Sequence, residues 1–231
     1  MSFRVTIYRE FSTDVEDLWR HIETISDGYI FQAYDWNALW YDCIGKKSSD
    51  IIPCIAVVFE SDEPVALFPF GIRHVWGIKI LEFMGGDQSD YLSPLFHNSK
   101  IAQDSLKFLW ELVEAALPKY DVFIFTKMPG SFNERPNPSL EIWPCRFSIE
   151  AFSATLPDSW EDMETRLSNK LRNDSKRQFR RLSERGVIKF IIADTEETYN
   201  SFLKTMFDQK RKRYIETGVR DVLEDQNVRD F

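Results

Sequence analysis

Leu156–Gly186, LPDSWEDMETRLSNKLRNDSKRQFRRLSERG, reads as one long amphipathic helix with a strongly basic surface. Pro157 fits at or just before the first turn, and Asp158 or Ser159 can cap it. Glu161, Asp162 and Glu164 put negative charge at the positive end of the helix dipole. Met163, Leu167, Leu171, Ser175, Phe179 and Leu182 recur every third or fourth position and form an apolar stripe. Gly186 is placed to end the helix in a left-handed cap.

The flanks of the stripe are cationic. At about 100° per residue, Arg166, Lys170, Arg177 and Arg181 fall on one side and Arg172, Lys176 and Arg180 on the other. Between Arg166 and Arg185 eight basic residues face only Asp174 and Glu184. Like charges one turn apart repel, so folding alone does not favour this density. A solvated face is one reading of it. The other is a surface for anions, with Lys170, Arg172, Arg177, Arg180 and Arg181 meeting phosphates of a nucleotide, a coenzyme, a tRNA or a lipid carrier.

The 231 residues suffice for one large domain or a domain and a half. The net charge of −8 is unevenly spread: residues 1–158 carry 13 basic and 23 acidic side chains, residues 159–231 carry 16 and 14. That shift places a boundary near Thr155–Ser159, giving residues 1–155 and 156–231 as two parts. The overall acidity argues against a dedicated nucleic-acid binder, DNA included, though a local basic face can still act. The N-terminus, MSFRVTIYREF, lacks the apolar run of a signal peptide, and no window approaches the roughly eighteen apolar residues of a membrane span. Cys43, Cys54 and Cys145 have no metal-type spacing, which suits free thiols in a reducing cytoplasm.

Along the chain, Arg4–Arg9 reads as a strand and Thr13–Ser26 as a helix. FQAYDWNALWYDCIG reads as a short aromatic helix ended at Gly45, its tryptophans either packed in the core or walling a ligand cleft. IIPCIAVVFE and PVALFPFGIRHVW form neighbouring antiparallel strands around a polar turn at Ser61–Glu63. Lys79–Met84, Asp121–Met128, Arg146–Ala154 and Val187–Ile192 read as further strands, and Ile101–Ala116 as a helix. Thr195 caps a second long helix that stops at Gly218, with another starting at Asp221. The class is mixed α/β, α+β in type, followed by a helical arm. The last segment, VLEDQNVRDF, has no stop signal, and the chain reads as the front part of a longer protein.

Catalytic signatures are few. His21, His74 and His97 show no metal spacing, and there is no GxSxG elbow, GxxxxGK[ST] loop or GxGxxG turn. The Q/RxxGxG/A loop that cradles coenzyme A pyrophosphate in ordinary GNAT acetyltransferases is missing too. One loop stands out, Gly85-Gly86-Asp87-Gln88-Ser89-Asp90-Tyr91. Two glycines directly after a strand free the backbone to turn sharply and approach a ligand. Asp90 adds an acceptor and Tyr91 an aromatic face with a hydroxyl. It is either a plain turn or the rim of a substrate site.

Four landmarks in order, FQAYDWNALWY, FMGGDQSDYLSPL, the Leu156–Gly186 stretch and FDQKRKRYIETGVRDVLEDQNVRDF, together resemble the FemAB-like branch of the GNAT acyltransferases. That branch includes the CelD-type proteins of cellulose biosynthesis. The resemblance runs from Phe31 to Phe231 and is most specific from Leu156 to Arg181. It implies a GNAT-like, mostly antiparallel sheet flanked by helices, and a second GNAT domain largely missing from this chain. It implies transfer of an acyl group from acyl-CoA, or an aminoacyl group from tRNA, to an amine or hydroxyl in polysaccharide or cell-envelope synthesis, with no metal. The acyl-CoA site would then lie mostly outside these residues. Trp36, Gly85, Gly86, Asp90 and Tyr91 would hold a small-molecule or envelope-precursor acceptor. Asp90 is a conceivable base, but the residues single out no catalytic group. Two other classes compete, an RNA-contacting module and a protein-interaction half that exposes Leu167, Leu171 and Phe179.

Overall fold

A computed structural model describes residues 3–47, 50–101, 105–132 and 135–231. They form two bodies, one of residues 1–146 and 222–231, the other of residues 147–221. The division expected at 155/156 thus falls at 146/147, and the last ten residues belong to the first body rather than to the arm.

The first body is built on a mixed, mostly antiparallel sheet. Phe3–Tyr8 (β1) pairs with Ile51–Glu60 (β2), β2 with Glu63–Val75 (β3), and β3 with Ile78–Phe83 (β4), all antiparallel. Leu95–Phe96 (β5) also pairs with β3, and the short strand Val122–Phe123 (β6) runs parallel to β4 at the sheet edge. β2 and β3 read as near-continuous apolar runs because both of their faces are covered.

Alternation sorts their side chains into two cores. Cys54, Ala56, Val58, Ala66, Phe68, Phe70 and Ile72 face one side, packed with Leu109 and Val113 of Leu106–Ala116 (α3) and with Trp143. Ile55, Val57, Phe59 and Leu67 face the other, packed with Val15, Trp19 and Ile22 of Thr13–Ile25 (α1) and with Trp40 of Tyr34–Trp40 (α2). A π-helical turn, Tyr41–Gly45, follows α2 directly. The turn at Ser61–Asp62 is as tight as expected, since Glu60 pairs Glu63. Ser131–Phe132 (β7) and Arg135–Pro136 (β8) form a small ribbon, followed by the short helix Ser139–Ile142 (α4).

Asp121–Met128 is not the buried strand expected. Only Val122–Phe123 pairs, against β4 alone, so Val122, Phe123 and Ile124 stay exposed at an open edge. Of the helix expected over 101–116, the described residues show Leu106–Ala116; Ala102, Gln103 and Asp104 lie outside them.

The second body holds Trp160–Arg166 (α5), Asn169–Ser183 (α6) and Glu196–Thr217 (α7). The long helix expected over 156–186 is therefore two. Leu167 is extended, and the Ser168 hydroxyl accepts a hydrogen bond from the Leu171 amide at 3.2 Å, starting a new helix. Serine inside a helical pattern competes for backbone donors, and here it wins. α6 ends at Ser183, so Gly186, with φ of 157°, is not its left-handed cap. α7 follows expectation, capped by Thr195 and closed by Gly218 at φ of 66°.

The strands expected at Arg146–Ala154 and Val187–Ile192 do not form. A strand persists only when its N–H and C=O groups meet a ladder partner, and none is found for these segments among the described residues. Gln226–Asp230 (α8), with the 3-10 turn Val222–Glu224 before it, returns to the first body, where Val228 and Phe231 join the α1/α2 core.

Cys54 offers a check on the sheet core. It is fully buried, and burial pushes its thiol up to about 11 from an ordinary 9.0. The unfolded chain ionises first, so stability should fall as the pH rises from about 9 to about 11. Urea melts of Cys54→Ala beside the parent should lose roughly 2–3 kcal/mol of that fall. Identical slopes would show that the thiol is solvated.

Candidate functional site

The Gly85–Tyr91 loop leaves the end of β4 and is built against α2. Gly85 and Gly86 have φ of 103° and 50°, values that L side chains resist. A Cβ on Gly85 would lie 2.3 Å from Ser89 Oγ, and one on Gly86 would lie 2.9 Å from Trp40 Cζ2. Gly45 approaches the same indole from another side, where a Cβ would meet Trp40 Cζ3 at 2.8 Å. The Trp40 ring therefore slots between two glycines.

Two indoles then tie the loop. Trp36 and Trp40 lie one helical turn apart and share a face. Trp36 Nε1 donates to Ser89 Oγ at 2.9 Å, and Ser89 Oγ donates on to the Gly85 carbonyl at 3.1 Å. Trp40 Nε1 donates to Gln88 Oε1 at 3.0 Å. The two tryptophans divide the roles left open for them: Trp40 is buried in the core, while Trp36 is half-buried beside the loop.

The third tie is Lys127, which sequence reasoning missed. Its Nζ donates to the carbonyls of Gly86 at 3.1 Å and Ser89 at 2.9 Å, and lies 3.8 Å from the exposed Asp87 carboxylate. Lys127 has a φ of 58°, and its own carbonyl accepts from the Leu92 amide at 2.9 Å. A lysine with positive φ, far along the chain from the loop it holds, carries no motif that would flag it.

Aromatic rings continue the wall. The Tyr91 ring lies 4.8 Å from that of Tyr29 and 6.1 Å from that of Phe31, and Phe31 meets Trp36 edge-on at 5.0 Å. Phe231 also meets Trp36 edge-on, at 4.9 Å. The Tyr91 carbonyl accepts from Gln32 Nε2 at 2.8 Å, and Gln32 is itself buried. Trp36, Gly85, Gly86 and Tyr91 are thus brought together; Asp90 stands exposed between Ser89 and Tyr91.

The cationic set is carried by α6 of the second body. Three of its five members are engaged within their own helix: Arg172 with Asn169 at 2.5 Å, Arg177 with Asp174 at 2.9 Å, Arg180 with Glu184 at 3.8 Å. Lys170 and Arg181 have no acidic partner among the described residues. Surface pairs of this kind are worth well under about 1 kcal/mol, so an incoming anion displaces them readily. Along the stripe Leu171 is 51% exposed and Phe179 61%, leaving the whole of α6 without a buried residue.

No group of three or more His, Cys, Asp or Glu suited to a metal occurs among the described residues, and none of their helices is long and apolar enough to cross a membrane. Comparison of the chain with protein-family models, curated proteins and solved structures finds no match.

Replacing Lys127 by Met removes two charge-assisted bonds from the loop. Hydrogen exchange at Gly86–Leu92 should quicken at least about tenfold, equivalent to about 1–3 kcal/mol, while α3 stays protected. Gly86→Ala should lower global stability by about 2 kcal/mol, from the positive φ and the clash with Trp40. Unchanged exchange in Lys127→Met would remove Lys127 from the loop's support.

Proposed function

We propose that the chain is part of a FemAB-like acyltransferase of the GNAT type, and that the Gly85–Tyr91 loop is the rim that orients its acceptor. The observation that carries this reading is the rim itself: a doubly left-handed glycine turn, fixed from three sides by Trp36, Trp40 and Lys127, beside an aromatic wall of Phe31, Trp36 and Tyr91. A fixed backbone beside flat apolar surfaces is suited to hold a sugar-like or peptide-like acceptor in one pose, which is what acyl transfer chiefly requires. The mostly antiparallel sheet with helices on both faces supports the same reading.

In this scheme an acceptor amine or hydroxyl attacks the carbonyl of an acyl-CoA thioester or an aminoacyl-tRNA ester. Its proton passes to a base, and the thiolate or ribose hydroxyl departs. Asp87 and Asp90 are the exposed carboxylates of the rim; Asp87 lies 3.8 Å from Lys127 Nζ, which leaves Asp90 as the candidate base, and Lys170, Arg172, Arg177, Arg180 and Arg181 supply charge for phosphates of donor or acceptor. On this reading the donor's main site lies outside these residues.

A second reading is favoured by one specific observation. Phe147, Ile149, Phe152 and Phe190 are each more than 90% exposed, an apolar load that a free surface rarely carries. On that reading residues 147–221 bind another polypeptide, which pairs with and covers the two unladdered segments.

Release of free thiol from acetyl-CoA in the presence of amino sugars or amino acids tests the first reading. Trp36→Ala and Tyr91→Ala should raise KM for the acceptor at least about tenfold, and Arg177→Glu with Arg181→Glu should raise KM for the donor in a salt-dependent way. Thiol release no faster than in buffer, with no acyl-CoA binding by calorimetry, would leave the polypeptide-binding reading in place.

A further inference from the structure

A cavity of about 200 Å³ lies between the end of α1, the Tyr29–Ala33 segment and Leu95. We infer that it is a binding pocket for a primary ammonium group, built on the Glu23 carboxylate and the Ser26 hydroxyl.

The one charged side chain that lines it is an acid, Glu23. Glu23 Oε1 takes a hydrogen bond from the Tyr34 amide at 2.6 Å, and Oε2 has no hydrogen-bond partner among the described residues. Ser26 Oγ is buried and has no partner at all among them. A buried hydroxyl left unpaired costs on the order of 1–3 kcal/mol, a penalty that a ligand hydrogen-bonding to it relieves. Both residues sit at the C-terminal end of α1, where the helix dipole is negative, and the last turn of α1 contains no basic residue to offset it. Arg20, the cation nearest Glu23 on the same helix, is committed to Glu16 at 2.8 Å and Asp35 at 2.5 Å. The Glu23 carboxyl is also pushed above its usual range by burial, so a bound cation relieves an existing penalty.

The rest of the wall limits what fits. Gln32 is held in place, since its Oε1 accepts from the Tyr29 amide at 2.9 Å and its Nε2 donates one N–H to the Tyr91 carbonyl at 2.8 Å. A carboxylate or phosphate would face the like charge of the Glu23 carboxylate beside apolar Leu95. An ammonium carries three donors and one positive charge, which matches the carboxylate and the unpaired hydroxyl. The volume suits a short alkyl chain on the nitrogen rather than a large ligand. Gln32 joins this pocket to Tyr91, so an amine held here lies on the rim side of the first body; that it serves as an acyl acceptor rests on the proposed function, whereas the binding itself does not.

The test is direct titration with ethylammonium chloride, followed by amide chemical shifts and without any acyl donor. Ethylammonium should give saturable shifts at Ser26 and Gly28, and tetramethylammonium and acetate should not. Glu23→Gln, which keeps an acceptor for the Tyr34 amide, should weaken binding at least about tenfold. Gly28→Ala should do the same by filling, since its Cβ would sit 3.0 Å from Leu95 Cδ2 and 3.6 Å from Gln32 Cβ, and its φ lies outside the left-handed region. Absence of saturable shifts in the parent protein, equal response to tetramethylammonium, or undiminished affinity in a folded Glu23→Gln would each overturn the inference. Ethylammonium binding without thiol release would keep the pocket and remove only its link to transfer.

Discussion

The edge of β3 on the β4 side is interrupted at Pro69, and the candidate site exists because of that break. Pro69 presents a carbonyl to this side, which accepts from the Met84 amide at 2.9 Å, but has no N–H to offer in return. β4 pairs with β3 only from Phe70 to Val75, and β5 takes up the same edge only at Ala66 and Leu67. Between the two pairings the chain leaves the sheet as the Gly85–Tyr91 loop and comes back as β5. The gap in the ladder supplies the place for the rim, and α2 with Lys127 supplies its rigidity.

That construction separates two kinds of stabilisation. In the first body, apolar burial on both faces of β2 and β3 sets the frame, and a few polar ties then fix one loop against it. In the second body the helices are defined locally, by Ser159, Ser168 and Thr195 caps and by Gly218, while their apolar side chains remain in solvent. Caps can decide where a helix starts, but burial of an amphipathic face supplies most of the stability of a helix in a protein. Ile149, Phe152 and Phe190 are exposed on this body, so little apolar burial of their own supports it.

Much of this was readable from residue patterns, for reasons that are local. Val- and Ile-rich runs around two-residue turns specify β2 to β4, and Thr195 with Gly218 brackets α7. The paired glycines announced a sharp turn, and positive φ at both is what made glycine necessary there. The failures are mostly non-local. An apolar run such as VIKFIIA has strand propensity but no ladder without a neighbour, and Asp121–Met128 has a neighbour on one side only. The kink at Leu167 does have a local signal, but Ser168 fits the helical pattern as well as a cap. Lys127, Gln32 and the return of Phe231 to Trp36 depend on distant residues meeting in space, which no spacing rule encodes.

An acceptor can be held in one pose at the Gly85–Tyr91 loop only if that loop is a fixed rim rather than a mobile turn. Backbone ¹⁵N relaxation reads that directly. Order parameters for Gly85 to Tyr91 near about 0.85, matching those of β4, are the expected result; values below about 0.6, with β4 still rigid, would contradict it.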